Sequence, residues 1–193
     1  MLQIFAALAV VVASAAISFG QKPNGSFPTI KIKNFGQMNE RFYRGAQPNE
    51  GDYKSLAALG VNTVVDLRDN PESYEKRDVE ALGMHYVNIP MSDKDYPRAE
   101  NIAAFLKLVD APATGKFFVH CAGGRHRTGV MGAVYRFTHD HWNLDQAYAE
   151  MKSYDFYTRF GHGAMKTFVE DYWAQMQPAN GASTKAAVSQ VNK

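Results

Sequence analysis

The sequence predicts an α/β domain: a central, mostly parallel sheet of four to five strands, flanked by helices on both faces. Three observations carry this. Short β-branched or aromatic runs, such as Val61-Asn-Thr-Val-Val and Lys116-Phe-Phe-Val-His, are bounded by Gly, Asn or Pro, as buried strands are. Between them the apolar residues recur every three to four positions, the period of a helix face. The bulk also suits one packed domain: 193 residues, 46% hydrophobic and 21% charged.

The elements follow in order. Residues 1–20 stand apart from the domain: Leu2 to Gln21 carries no charged side chain, and Ile4 to Phe19 is almost wholly apolar. Sixteen residues fall short of a membrane span and suit the apolar core of a signal peptide, with Ala13-Ser14-Ala15 or Ser18-Phe19-Gly20 as the cleavage site. Met1-Leu2-Gln3 lacks the usual Lys or Arg, so an uncleaved membrane anchor and a buried helix stay open beside export to a periplasmic or secreted location. Residues 21–34 read as a polar linker followed by a first strand, Ile30–Phe35, and residues 35–176 as the folded domain.

Further strands are expected at Phe42–Tyr43, Val61–Leu67, His85–Ile89 and Lys116–His120. Asn49 can cap a helix through Tyr53, Leu56 and Leu59 that stops at Gly60, and Pro71 can open one through Tyr74, Val79 and Leu82 to Gly83. Ile102, Phe105, Leu106 and Val109 mark a third, ended before Pro112. Beyond Gly129 the pattern is helical throughout: Val130–Phe137, Leu144–Met151 and Met165–Met176. Residues 177–193 are polar and small, the composition of a disordered tail.

A formal net charge of +2 excludes a nucleic-acid binder that works by broad electrostatics; a charged partner must be met by a local cluster. The dense cluster is His120-Cys-Ala-Gly-Gly-Arg-His-Arg-Thr-Gly129, which also holds the single cysteine and so excludes an internal disulfide. A lone cysteine is most often a core residue. Here a predicted strand delivers Cys121 and a helix follows from Gly129, so the intervening main-chain amides converge where an anion would sit. Ala122, Gly123, Gly124, Arg125 and His126 form the cradle, and the small residues let the backbone close in. Arg127, six residues after Cys121, can hold two phosphate oxygens with its planar fork. A thiol in that ring is expected to ionise near neutral pH, with the Thr128 hydroxyl helping the sulfur to leave.

This stretch matches the HCxxGxxR(S/T) signature and resembles the cysteine-dependent protein tyrosine phosphatases, most closely the dual-specificity branch in its compact bacterial, fungal and plant form. Arg41-Phe-Tyr-Arg-Gly-Ala-Gln-Pro48, Leu59–Arg68 and Ile89–Pro97 extend the resemblance over roughly residues 35–176. It implies phosphatase chemistry: Cys121 as nucleophile, Arg127 as phosphate clamp, and an aspartate general acid from a loop before the cysteine strand. Asp93 and Asp95 are the candidates, and the spacing of Asp93 between Pro90 and Pro97 favours it. The implied substrates are phosphotyrosine and phosphoserine/threonine proteins, without metal or cofactor. The alternative is an inositol phosphate or phospholipid, because Arg125-His-Arg-Thr-Gly129 resembles the loop of inositol-pyrophosphate phosphatases. A rhodanese-like sulfurtransferase and a binding module without turnover are the other readings; the sequence assigns no oligomeric state.

Weaker signals have ordinary explanations beside functional ones. Arg125 and His126 add positive charge or simply face solvent; Arg44 and Arg68 reach the loop or pair with Asp66 and Asp69; His120 orients the cysteine loop through hydrogen bonds. Tyr154, Phe156, Tyr157 and Phe160 suit core packing better than a substrate groove. His139 and His141 lack further metal ligands at a recognisable spacing.

Overall fold

A computed structural model describes residues 27–177; the predicted export segment and the predicted tail beyond Gln177 lie outside them. The sheet has five strands: β1 (Gly36–Gln37), β2 (Phe42–Ala46), β3 (Val61–Arg68), β4 (His85–Met91) and β5 (Lys116–Cys121). Their order is β1-β2-β5-β3-β4, with every neighbouring pair parallel except the antiparallel β1–β2 edge. Six α-helices accompany it among the described residues: α1 (Tyr53–Ala58), α2 (Glu75–Ala81), α3 (Ala99–Asp110), α4 (Arg127–His139), α5 (Leu144–Ser153) and α6 (Gly163–Met176). The predicted class is therefore the observed one.

β5 lies at the centre because its residues from Phe117 to Cys121 are all buried. Strand alternation divides those side chains between two cores. Phe117, Val119 and Cys121 join the larger core under α3 to α6, with Met131 and Val134 of α4 and Met165 of α6. Phe118 joins the smaller core under α1 and α2, with Tyr53, Leu56 and Val79. Burying each large apolar side chain contributes about 1.5–3 kcal/mol, so both faces hold β5 in place. Cys121 thus ends a strand fixed on each side by neighbours it pairs with in register, Ala46 of β2 and, one residue earlier, Asp66 of β3.

Five boundaries differ from the sequence pattern. Ile30–Phe35 is not a strand: a turn at Lys33–Asn34, with Asn34 left-handed at φ 53°, interrupts it, and the short β1 takes the edge instead. β2 runs on to Ala46, since it pairs with β5 along its whole length. The first helix starts after Asp52, because the Asn49 main-chain and side-chain N–H groups both donate to the Asp52 carboxylate and close a turn there. The second starts after Tyr74 rather than at Pro71. The helix after the cysteine loop starts at Arg127, two residues before Gly129, and this places the arginine in its first turn.

Candidate active site

The turn from β5 into α4 spans residues 122–126. Three successive carbonyls of it are engaged from outside: Ala122 by the Gln47 amide (3.3 Å), Gly123 by Asn34 Nδ2 (2.9 Å) and Gly124 by Arg44 Nη2 (2.6 Å). In a trans peptide the N–H points opposite to the C=O, so the amides of Gly123, Gly124 and Arg125 face the inside of the loop. Arg44 is buried, with its guanidinium also 3.9 Å over the Tyr154 ring. It pairs with neither Asp66 nor Asp69; it supports the loop from beneath. Arg68 binds Glu72 and Gln47, and takes only a main-chain bond from its N–H to Asp66. Of the two readings, Arg44 takes the loop and not an aspartate, whereas the Arg68 side chain takes neither.

Gly124 has φ 65°, and a Cβ there would lie 2.5 Å from the Gly45 carbonyl carbon and 2.6 Å from the Ala46 nitrogen. Left-handed backbone alone costs a non-glycine residue about 1–2 kcal/mol, before the clash with β2. Gly124→Ala is therefore expected to lose about 2 kcal/mol or more of unfolding free energy in a denaturant melt. Gly123→Ala, whose Cβ would touch only the Arg125 side chain at 3.7 Å, is expected to melt like wild type.

Arg127 returns across the loop. Its Nη1 donates to Asp69 Oδ1 and to the Met91 carbonyl, each at 3.0 Å, so the guanidinium is held by the ends of β3 and β4. Cys121 is buried, which pushes its thiol pKa up. The Thr128 hydroxyl, the Arg127 charge and the amides of Thr128 and Gly124 outweigh burial, and the net shift is downward, toward thiolate.

Asp93, Cys121, Arg127, Ala122, Gly123, Arg125, His126, Tyr157 and His162 line one pocket of about 190 Å³. Asp95 lines a different one with Ser92, Tyr96 and Arg98. Arg125, half-buried, reaches toward Asp155 (3.9 Å) and Tyr157. His126 is only 9% exposed, and burial together with the His162 charge pushes its pKa down to about 4. The histidine therefore brings no positive charge at neutral pH; the solvated or cationic role expected of it is corrected.

His120 points to the opposite face of the sheet from Cys121. Its Nε2 lies 2.7 Å from Glu75 Oε1 on α2, and its Nδ1 3.9 Å from Asp66 Oδ1. Burial would raise the Glu75 pKa, but His120 and Gln47 outweigh it and the carboxylate stays ionised; burial raises that of Asp66. His120 is thus anchored to β3 and α2 rather than to the loop it precedes. Donor atoms of these three residues, all fully buried, cluster within 4.8 Å of one another. His139 instead bonds Asp110 and stacks on Tyr135. Tyr154 and Phe156 are core residues, whereas Tyr157 lines the pocket and Phe160 is 76% exposed.

Sequence spacing missed Asn34, Asp69 and His162. Each acts on the site from another part of the chain. Asn34 beside a positive-φ turn carried a weak local signal; the other two carried none.

A family model described as "DSP-PTPase phosphatase fused to NAD+ Kinase" matches residues 26–171. The chain is 28% identical over 145 residues to "Probable tyrosine-protein phosphatase DG1060" of Dictyostelium discoideum, covering 72% of this chain and 82% of that protein. It is 28% identical over 120 residues to the dual specificity protein phosphatase TpbA of Pseudomonas aeruginosa, covering 62% of this chain and 53% of TpbA. Among solved structures, the core catalytic domain of the PP-IP phosphatase SIW14 from S. cerevisiae superposes with a TM-score of 0.64 at 22% identity, covering 73% of this chain and 86% of that one. The crystal structure of P. aeruginosa TpbA gives the same TM-score at 24% identity over 81% of this chain and 91% of its own.

Proposed function

The chain belongs to the DSP-PTPase phosphatase family, and on that premise we propose that it hydrolyses phosphate monoesters of proteins through a cysteinyl-phosphate intermediate. The observation that carries the mechanism is the loop from Cys121 to Arg127, with inward amides, a thiol shifted toward thiolate and a guanidinium returning over it. In the first step the Cys121 sulfur attacks phosphorus, an S–P bond forms and the ester P–O bond breaks. Asp93 protonates the departing oxygen, while Arg127 and the loop amides hold the remaining phosphoryl oxygens. In the second step Asp93 removes a proton from water, the water oxygen bonds to phosphorus, and Cys121 leaves as thiolate, helped by the Thr128 hydroxyl.

The substrate class rests on the relatives. TpbA and DG1060 are named as dual-specificity and tyrosine phosphatases, and SIW14 as a PP-IP phosphatase. A second reading, an inositol phosphate, is favoured by Arg125 at the pocket. Acid quenching during turnover of a labelled aryl phosphate is expected to leave close to one phosphate per chain on Cys121. A binding module would show no turnover, and a sulfurtransferase would hold sulfur there instead. Comparing kcat/KM for phosphopeptides, inositol phosphates and phospholipid then separates the substrate classes. For residues 1–20 the proposal is export or anchoring, which cell fractionation and N-terminal sequencing test.

A further inference from the structure

Residues 92–98 connect β4 to α3, and Asp93 is exposed. Ser92 Oγ accepts from the amides of Lys94 (3.3 Å) and Asp95 (3.2 Å), which shapes the turn without tying it to the rest of the protein. The Tyr96 hydroxyl donates to Asp171 at 3.0 Å, toward the far end of the segment. The bond that reaches Asp93 itself is from His162, whose Nδ1 lies 2.7 Å from the Asp93 carbonyl oxygen across 69 positions of sequence. A carbonyl only accepts, so Nδ1 of His162 carries the proton.

The same ring lies flat on His126, with centroids 3.6 Å apart and planes 10° from parallel. His126 belongs to the cysteine loop and precedes Arg127; its Nε2 donates to the Tyr157 carbonyl at 3.1 Å. The Tyr157 ring stands edge-on to both imidazoles, at 4.4 and 5.4 Å. Both histidines are buried, at 9% and 8% exposure. A chain of contacts therefore runs from the Asp93 main chain through His162 and His126 into the loop that holds Cys121 and Arg127.

We propose that His162, seated on His126, is a positioning residue that fixes the height of Asp93 over the cysteine loop. This rests on Asp93 being the general acid. Proton transfer needs the carboxyl group within hydrogen-bond reach of the departing oxygen, and an error of about 1 Å costs on the order of a hundredfold in rate. An exposed loop held by its own turn alone does not keep that tolerance. A donor on a buried, stacked ring does, because stacking on a second ring restricts the movement of the first.

The test uses the full chain and two esters that differ in their need for an acid. Phenyl phosphate has a poor leaving group and needs protonation; 2,4-dinitrophenyl phosphate leaves readily without it. His162→Phe keeps a stacking ring and loses the donor; His162→Asn keeps a donor near the Nδ1 position. His162→Phe is expected to lower kcat/KM on phenyl phosphate by about tenfold and on the dinitrophenyl ester by about twofold or less, with the inhibition constant of inorganic phosphate unchanged. His162→Asn, which restores a donor without the stacked ring, is expected to recover part of the loss.

Equal losses on both esters, or weaker phosphate inhibition, would make His162 a packing residue of the cradle and overturn the proposal. An unaffected His162→Phe, or an Asn variant no better than Phe, overturns it too. Asp93→Asn is assayed in parallel. If that variant loses phenyl phosphate selectively and His162→Phe does not, positioning alone fails. If Asp93→Asn shows no selectivity, the general-acid assignment fails and takes the positioning role with it.

Discussion

Cys121→Ser is expected to abolish turnover of an aryl phosphate, a loss of about 10⁴-fold or more, while inorganic phosphate still binds. The difference lies in the anion. A serine hydroxyl stays protonated near neutral pH, whereas burial at Cys121 is outweighed by the Thr128 hydroxyl, the Arg127 charge and two main-chain amides that favour thiolate. The groups that grip the phosphate oxygens are unchanged by the substitution, and removing a negative sulfur from beneath the dianion leaves binding equal or tighter. Calorimetry with phosphate and a stopped aryl-phosphate assay read the two halves separately. Alkylation by iodoacetate checks the cause: its midpoint is expected below the ordinary thiol range of roughly 8–9. Thr128→Val removes a downward influence, so the midpoint and the acid limb of activity both move to higher pH. Turnover by Cys121→Ser above about a hundredth of wild type would mean that the sulfur is not the nucleophile.

The loop was legible in the sequence because its information is local. Five residues separate Cys121 from Arg127, the strand before them is written in Lys116-Phe-Phe-Val-His, and glycine stands where the backbone turns left-handed against β2. The fold class was legible for the same reason, from runs long enough to show a period. What the chain hides is anything fixed by strand order. Asp69 meets Arg127 only because β3 and β4 lie beyond β5 in the sheet, and no spacing along the chain records that order. Along the chain Arg44 could reach the loop or a nearby aspartate; its strand sits beside β5, and that places the Gly124 carbonyl within its reach. Ile30–Phe35 shows how a local pattern misleads: its residues suit a strand, but Asn34 is taken up in a turn and donates to Gly123. The contact with the cradle overrides strand propensity there. His162 was hidden most completely, since its value lies in a ring and a carbonyl that are far away in sequence.

Asp93→Asn and Asp95→Asn should separate cleanly, although the two residues stand only two apart. In a strand, residues at that spacing share a face. Residues 92–95 are instead a turn, with Ser92 Oγ accepting from the amides of Lys94 and Asp95, and a turn redirects successive side chains. The outcome is two aspartates on two pockets: Asp93 on the one with Cys121 and Arg127, and Asp95 beside Tyr96 and Arg98. General acid catalysis contributes about 10²–10⁴-fold, and an amide cannot supply the proton, so Asp93→Asn is expected to lower kcat on a phosphotyrosine peptide by that order. Phosphate affinity should hold, because Asp93 accepts nothing from the cradle and the Arg127 guanidinium is anchored on Asp69 and Met91 rather than on Asp93. Asp95→Asn is expected to stay within about threefold of wild type, as exposed loop substitutions away from the chemistry do. The reverse result, a large loss at 95 and little at 93, would require the loop to turn over before reaction and carry the other carboxylate to the sulfur. The bond from His162 to the Asp93 carbonyl opposes that rearrangement, so weakening it at His162 is the condition under which Asp95 would have its best chance to substitute. Activity of the double variant His162→Phe, Asp93→Asn above that of Asp93→Asn alone would reveal such a substitution; equal or lower activity leaves the proton with Asp93.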